Sequence, residues 1–130
     1  EAIRQACRRW QVREIVADPY RWTRSLQALE AERLPVSEFP QSPSRMTPAT
    51  TGLYEAIVNH QVTHSDDPRL ARHVGNCVVR VDSRGTRLAK EHKHSLRRID
   101  LAVAAVMAHS RATWLAGRAG VQLFTFSDDD

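Results

Sequence analysis

The run Ser95–Leu96–Arg97–Arg98–Ile99–Asp100–Leu101–Ala102–Val103–Ala104–Ala105–Val106–Met107 carries the longest uniformly apolar helical pattern in the chain. Leu96, Ile99, Val103, Val106 and Met107 recur at helical spacing, which predicts a helix with one buried stripe. Asp100 falls on an edge of that stripe rather than away from it. Ala102, Ala104, Ala105 and Ala108 are small enough to let the helix approach a neighbouring layer closely. An acid at the margin of a core has two readings. In the first or second turn it answers the helix dipole, worth roughly 0.3–1 kcal/mol. Alternatively it holds a cation.

Outward from this helix the pattern alternates. Lys90 to His94 reads as a charged linker into it. Asn76–Asp82 and Thr86–Ala89 read as strands joined by a hairpin turn at Ser83–Arg84–Gly85. Arg69–Gly75 suits a short helix, and His64–Pro68 a turn. Thr47–Pro48 has the cap-then-proline form of a helix start, which predicts a helix to about His60 or Val62 burying Leu53, Ile57 and Val58. Gln41–Met46 before it reads as a loop.

Further upstream, Val12–Ala17 is a strand ended by Asp18–Pro19, because proline disfavours regular structure at the residue before it. With Asp18 as cap, a helix from Pro19 runs through Trp22, Leu26, Leu29 and Ala31 to Arg33, and Val36–Phe39 is a second strand. Glu1–Trp10 reads as the end of an amphipathic helix with Ile3, Ala6, Cys7 and Trp10 on one face. At the other end Gly117 is expected to stop the Asp100 helix, and Val121–Phe126 to form a last strand before Asp128–Asp130. The order predicts an α/β fold with a mixed sheet flanked by helices.

A chain of 130 residues makes one domain or part of one, and its missing initiator Met leads us to expect an excised or processed piece. No window approaches the ~18 apolar residues that span a bilayer. The net charge of +4 is carried by arginine, since Lys90 and Lys93 are the only lysines among 19 Lys and Arg residues. Arginine's planar fork suits phosphate, so this balance is compatible with a nucleic-acid partner without requiring one. Cys7 and Cys77 have no CxxC spacing and are expected to be reduced thiols.

Two carboxylates bear on chemistry. In open α/β sheets functional side chains gather at the carboxyl ends of strands, where Asp18 stands. A strand-end acid is also a common helix cap. Taken with Asp100 it supplies the hard oxygen ligands that Mg²⁺ or Mn²⁺ prefers. His60 and His64, four apart, and His92 and His94 offer a zinc alternative, but HExxH is absent. The absence of GxSxG, GxxxxGK[ST] and GxGxxG leaves no nucleophile elbow and no nucleotide cradle in this segment. Gly52 and the strand-like segments argue against a helix-turn-helix.

The runs VREIVADPYRW (Val12–Trp22), FPQSPSRMTPATTGLYEAIVNHQVTHSDDPRLARHVGNCVVRVDSRGTRLAK (Phe39–Lys90) and RRIDLAVAAVMA (Arg97–Ala108) together resemble the nuclease domain of the tailed-phage terminase large subunit. The resemblance implies a ribonuclease H-like fold lacking its first strands, within a motor that packages DNA. It implies cutting of concatemeric double-stranded DNA with two Mg²⁺ or Mn²⁺ ions. Of the three acids that hold metal in that family, Asp18 matches the second and Asp100 the third. The first, with the ATPase domain, is expected upstream of Glu1, so the isolated segment is expected to be inactive. His64, Asn76 and Lys90 fall in shared segments, as DNA contacts or supports of the metal ligands. Arg97 and Arg98 stand just before Asp100, where they either hold DNA near the metals or form a solvated helix start. The implied partners are double-stranded DNA, the terminase small subunit and the portal, in the cytoplasm of an infected or lysogenic bacterial host. Two alternatives stand beside this: a non-catalytic DNA- or portal-binding module with an inert nuclease fold, and a host resolvase or transposase-like nuclease.

Overall fold

The apolar helix, α5 (Asp100–Ala119), begins five residues later than its hydrophobic pattern predicts. In a computed structural model, which describes residues 1–119, the segment before it is a turn. The Ser95 hydroxyl accepts the Arg97 N–H at 3.2 Å and the Ser95 N–H reaches the His92 carbonyl at 3.0 Å. Leu96 is therefore 96% exposed and leaves the predicted stripe, a correction to its reading as core. The rest of the stripe is buried on Ile99, Ala102, Val106 and Met107. Ile99 takes the flanking position, its carbonyl accepting the Val103 N–H at 3.0 Å, so Asp100 is the first helical residue. Gly117 does not stop the helix, which continues to Ala119. Glycine ends helices by adopting a positive φ, and Gly85 is the glycine with that conformation among the described residues.

The other elements, in order, are α1 (Ala2–Arg9), β1 (Ile15–Ala17), α2 (Thr23–Ala31), β2 (Val36–Glu38), α3 (Pro43–Val58), α4 (Pro68–Gly75), β3 (Cys77–Asp82) and β4 (Gly85–Lys90). Two helix starts differ from expectation. Arg21 at φ 63° and a bond from the Trp22 N–H to the Pro19 carbonyl close a turn after Asp18, so α2 begins at Thr23 rather than Pro19. Asp18 caps that turn instead of a helix, its carboxylate accepting the Tyr20 N–H at 2.8 Å.

Helix α3 starts at Ser42–Pro43, not at Thr47–Pro48, and runs through the stretch expected to be a loop. Both dipeptides have the same form, and packing chooses between them. From Pro43 the helix places Met46, Ala49, Thr50, Leu53 and Ala56 on one inward stripe. Pro48 then lies inside the helix without an N–H for the Ser44 carbonyl, a defect of about 3 kcal/mol that the buried neighbours Met46 and Ala49 offset. Off that stripe, Ile57 and Val58 are 54% and 56% exposed, contrary to expectation.

The strands form two separate ribbons rather than one mixed sheet. β1 and β2 pair in parallel, Ile15 opposite Val36 and Ala17 opposite Glu38, with α2 as the crossover. β3 and β4 form the expected antiparallel hairpin, Cys77 opposite Lys90 and Asp82 opposite Gly85. Phe39, Met46, Ala49, Val106 and Met107 make the core, joined by Val16, Leu53, Leu88 and Val103. Helix α3 packs on β4 and on α5, and α5 in turn reaches β1. The expected strand Val121–Phe126 and the acidic end Asp128–Asp130 lie outside the described residues.

Candidate functional site

β1 and the residues flanking it bring Val12, Arg13, Glu14, Val16, Ala17 and Asp18 to one face. That face and one side of α5 enclose an open cleft of about 800 Å³. Val16, Ile99, Val103 and Met107 make its apolar floor, and Ala104 and Ala108 keep the helix side shallow. Asp18 stands at one end, after β1, and Asp100 at the first residue of α5. The end of β4 adds Lys90.

Asp18 is half-buried and held at both oxygens. Oδ1 accepts the Tyr20 N–H at 2.8 Å and Oδ2 the Gln41 N–H at 3.2 Å, which ties the β1 end to the chain entering α3. Each oxygen keeps acceptor capacity beyond these bonds. Asp100 is exposed. Among the described residues neither carboxylate has a Lys, Arg or His partner within ion-pair distance.

A third carboxylate in the cleft is already committed. Glu14 receives two bonds of 2.8 Å from Arg111, Nε to Oε2 and Nη2 to Oε1, and the guanidinium lies 4.0 Å over the Trp114 ring. Arg111 holds the Glu14 carboxyl below its ordinary pKa, burial opposes this, and a Ser37 hydrogen bond adds to the lowering. This clasp joins β1 to α5 across 97 residues of sequence, and sequence reasoning gave it no role. Alternation in β1 would have put Glu14 on the Asp18 face. No local signal would have found its partner.

The other expected site residues do not converge here. Asn76, Arg97 and Arg98 line a different cleft, of about 570 Å³, on the far side of the α5 start. His64 lines neither of the two, and its Nδ1 accepts the Asp66 N–H at 3.1 Å in the turn before α4. Of the five proposed DNA contacts or supports, only Lys90 shares the cleft with both aspartates.

The donor set fits part of a divalent-cation site. Asp18 and Asp100 are hard oxygen donors, free of competing cations and open to one cleft. They are two ligands: among the described residues no group of three or more His, Cys, Asp or Glu gathers for a metal.

The sequence model of a family described as "Terminase large subunit, endonuclease domain" matches residues 2–115. The chain belongs to this family. Among solved structures, the crystal structure of the HK97 bacteriophage large terminase is similar, with a TM-score of 0.71 and 26% sequence identity. The match covers 85% of this chain and 23% of the HK97 chain, so the endonuclease domain segment spans less than a quarter of that terminase. No curated protein matches the chain. No described helix of the endonuclease domain is long and apolar enough to cross a membrane.

Proposed function

We propose that this domain cuts double-stranded DNA as the metal-dependent nuclease of a phage packaging motor, with Asp18 and Asp100 as metal ligands. The observation that carries the reading is the convergence, in one cleft of an endonuclease-family domain, of two unpaired carboxylates from elements 82 residues apart. On this reading the two ribbons belong to a ribonuclease H-like sheet, and a first-strand acid and an ATPase domain lie elsewhere in the longer protein. Concatemeric DNA is the substrate, the terminase small subunit and portal are partners, and the host cytoplasm is the setting. The 0.71 TM-score to a phage large terminase supports these inferences.

Asp18 and Asp100 would hold Mg²⁺ or Mn²⁺. When bound, such ions would supply an activated water and stabilise the leaving oxygen of the phosphodiester. The chain's own residues do the remainder. Backbone N–H groups of Tyr20 and Gln41 fix the Asp18 carboxylate, so its orientation costs little at the moment of binding. Lys90 places an ammonium in the cleft where a DNA phosphate would pass, and the apolar floor limits water beneath it.

In the full-length chain, Asp18→Ala or Asp100→Ala is expected to abolish Mn²⁺-dependent cleavage of plasmid DNA while circular dichroism shows the fold retained. Wild-type cutting by either variant overturns the assignment. That this cleft offers only two carboxylates without an ion-pair partner among the described residues favours a second reading, an inert nuclease fold that binds DNA or the portal. Calorimetric titration with Mn²⁺ separates the two: the nuclease reading requires binding that either aspartate variant removes.

A further inference from the structure

Arg98 and Leu101 line one cleft, while Ile99 and Asp100 between them line the other. The start of α5 is therefore a partition: carboxylates mix with Arg13, Lys90 and Arg111 on one side, and the other side holds arginines with no acid in its lining. The second cleft takes Arg69, Arg72, Arg97 and Arg98 together with His73 and Asn76, and no Asp or Glu lines it. The cleft lining thus carries an excess of positive charge, which a polyanion would complement.

The frame of this cleft is fixed while two of its cations are free. His73 Nδ1 accepts the Leu101 N–H at 2.9 Å, and Asn76 Nδ2 donates to the Arg98 carbonyl at 2.9 Å. These bonds stitch the end of α4 to the start of α5, and they leave His73 Nε2 as the donor of a neutral imidazole. Arg69 is committed to Asp67 through bonds of 3.1 and 2.7 Å. Arg97 approaches Glu91 only at 4.0 Å. Among the described residues, Arg72 and Arg98 have no carboxylate within ion-pair distance.

We propose that this basic cleft is a second seat for the DNA backbone, in which Arg72 and Arg98 clamp phosphates on one side of the α5 start. The same strand then passes to Asp100 on the other side. A single phosphate ion would occupy one cleft alone, whereas a polymer of phosphates engages both. The clamp fixes which phosphodiester meets the carboxylates and takes no part in bond breaking. The identity of the polymer as double-stranded DNA rests on the proposed function.

The test is binding of the full-length chain to a labelled blunt duplex, without divalent metal, over a salt series. Arg72→Gln/Arg98→Gln is expected to weaken binding by about tenfold and to flatten the slope of log K against log[salt] by about 1.8, the value for two lost phosphate contacts. Arg24→Gln, on α2, is the control and should change neither. Arg72→Lys/Arg98→Lys should recover part of the affinity, since charge returns without the bidentate fork. In Mn²⁺ the Gln pair should raise KM for DNA and leave kcat at saturating DNA unchanged. Unaltered affinity and slope in the Gln pair overturn the clamp, as does an equal loss in Arg24→Gln. Competition by polyglutamate as effective as by duplex also overturns it, in favour of an acidic protein partner. Because the binding is read without metal, it stands apart from Asp18→Ala, whose continued cutting would overturn the nuclease assignment alone.

Discussion

Gly85 opens the hairpin's return strand at φ 104°, a conformation that L side chains rarely adopt. A Cβ added there would lie 2.5 Å from Cγ2 of Thr47, whose hydroxyl donates to the Arg84 carbonyl at 3.1 Å. The hairpin tip is thus seated on the first turns of α3, and Gly85 is what lets it sit so close. Gly85→Ala is expected to destabilise by about 2 kcal/mol, combining backbone strain with the clash. Gly52, inside α3 with nothing within 4 Å of its virtual Cβ, is the opposite case. Gly52→Ala should stabilise by about 0.5–1 kcal/mol through the unfolded chain's lost freedom. Urea unfolding of the two variants checks both signs. The hairpin glycine was readable from Ser83–Arg84–Gly85, but its partner on α3 was not, because nothing local joins residues 47 and 85.

At the scale of elements, β1 and α5 are joined by the Val16 and Val103 packing and by Glu14 with Arg111. Both charged side chains are 16% exposed, so removing either strands the other in a poorly hydrated site. Glu14→Gln should cost about 2 kcal/mol at neutral pH, between the values for surface and buried pairs. The sign with pH follows from the lowered Glu14 pKa. A carboxylate whose folded pKa is depressed adds stability that is complete above its unfolded value, about 4.3, and is lost as pH falls through the folded one. The gap between wild type and Glu14→Gln in thermal melts should therefore hold from neutral pH to about 5 and close below about 4. A constant gap down to pH 3 would assign the loss to packing alone. Element type was largely legible and element starts were not. Both Thr47–Pro48 and Ser42–Pro43 look like caps, and only burial of Met46 and Ala49 decides for the second. Likewise the apolar stripe through Leu96 was extended one turn too far, since a serine turn at Ser95 ends the pattern before packing can use it.

Over the whole molecule, the parallel ribbon with α2 forms one unit, and α3, α4, α5 and the hairpin form the other. Sequence order suggested a single mixed sheet, because strand patterns carry no information on which strands share edges. The same gap explains the site. Asp18 was legible at a strand end and Asp100 in the first or second turn of a helix, whereas the separation of Arg97, Arg98 and Asn76 from them depends on which way α4 meets α5. Residues adjacent in sequence thus serve opposite sides of one helix start.

The clasp between Glu14 and Arg111 has one more consequence. Asp18 follows β1 and Asp100 opens α5, so the clasp spans the same two parts of the chain as the pair of aspartates. A cation gripping both aspartates would be a second rivet across the same seam. Thermodynamic reciprocity then requires each rivet to tighten the other by an equal free energy. The strength of an ion pair that touches no substrate would, in this way, be written into the grip of the two aspartates on any cation they share.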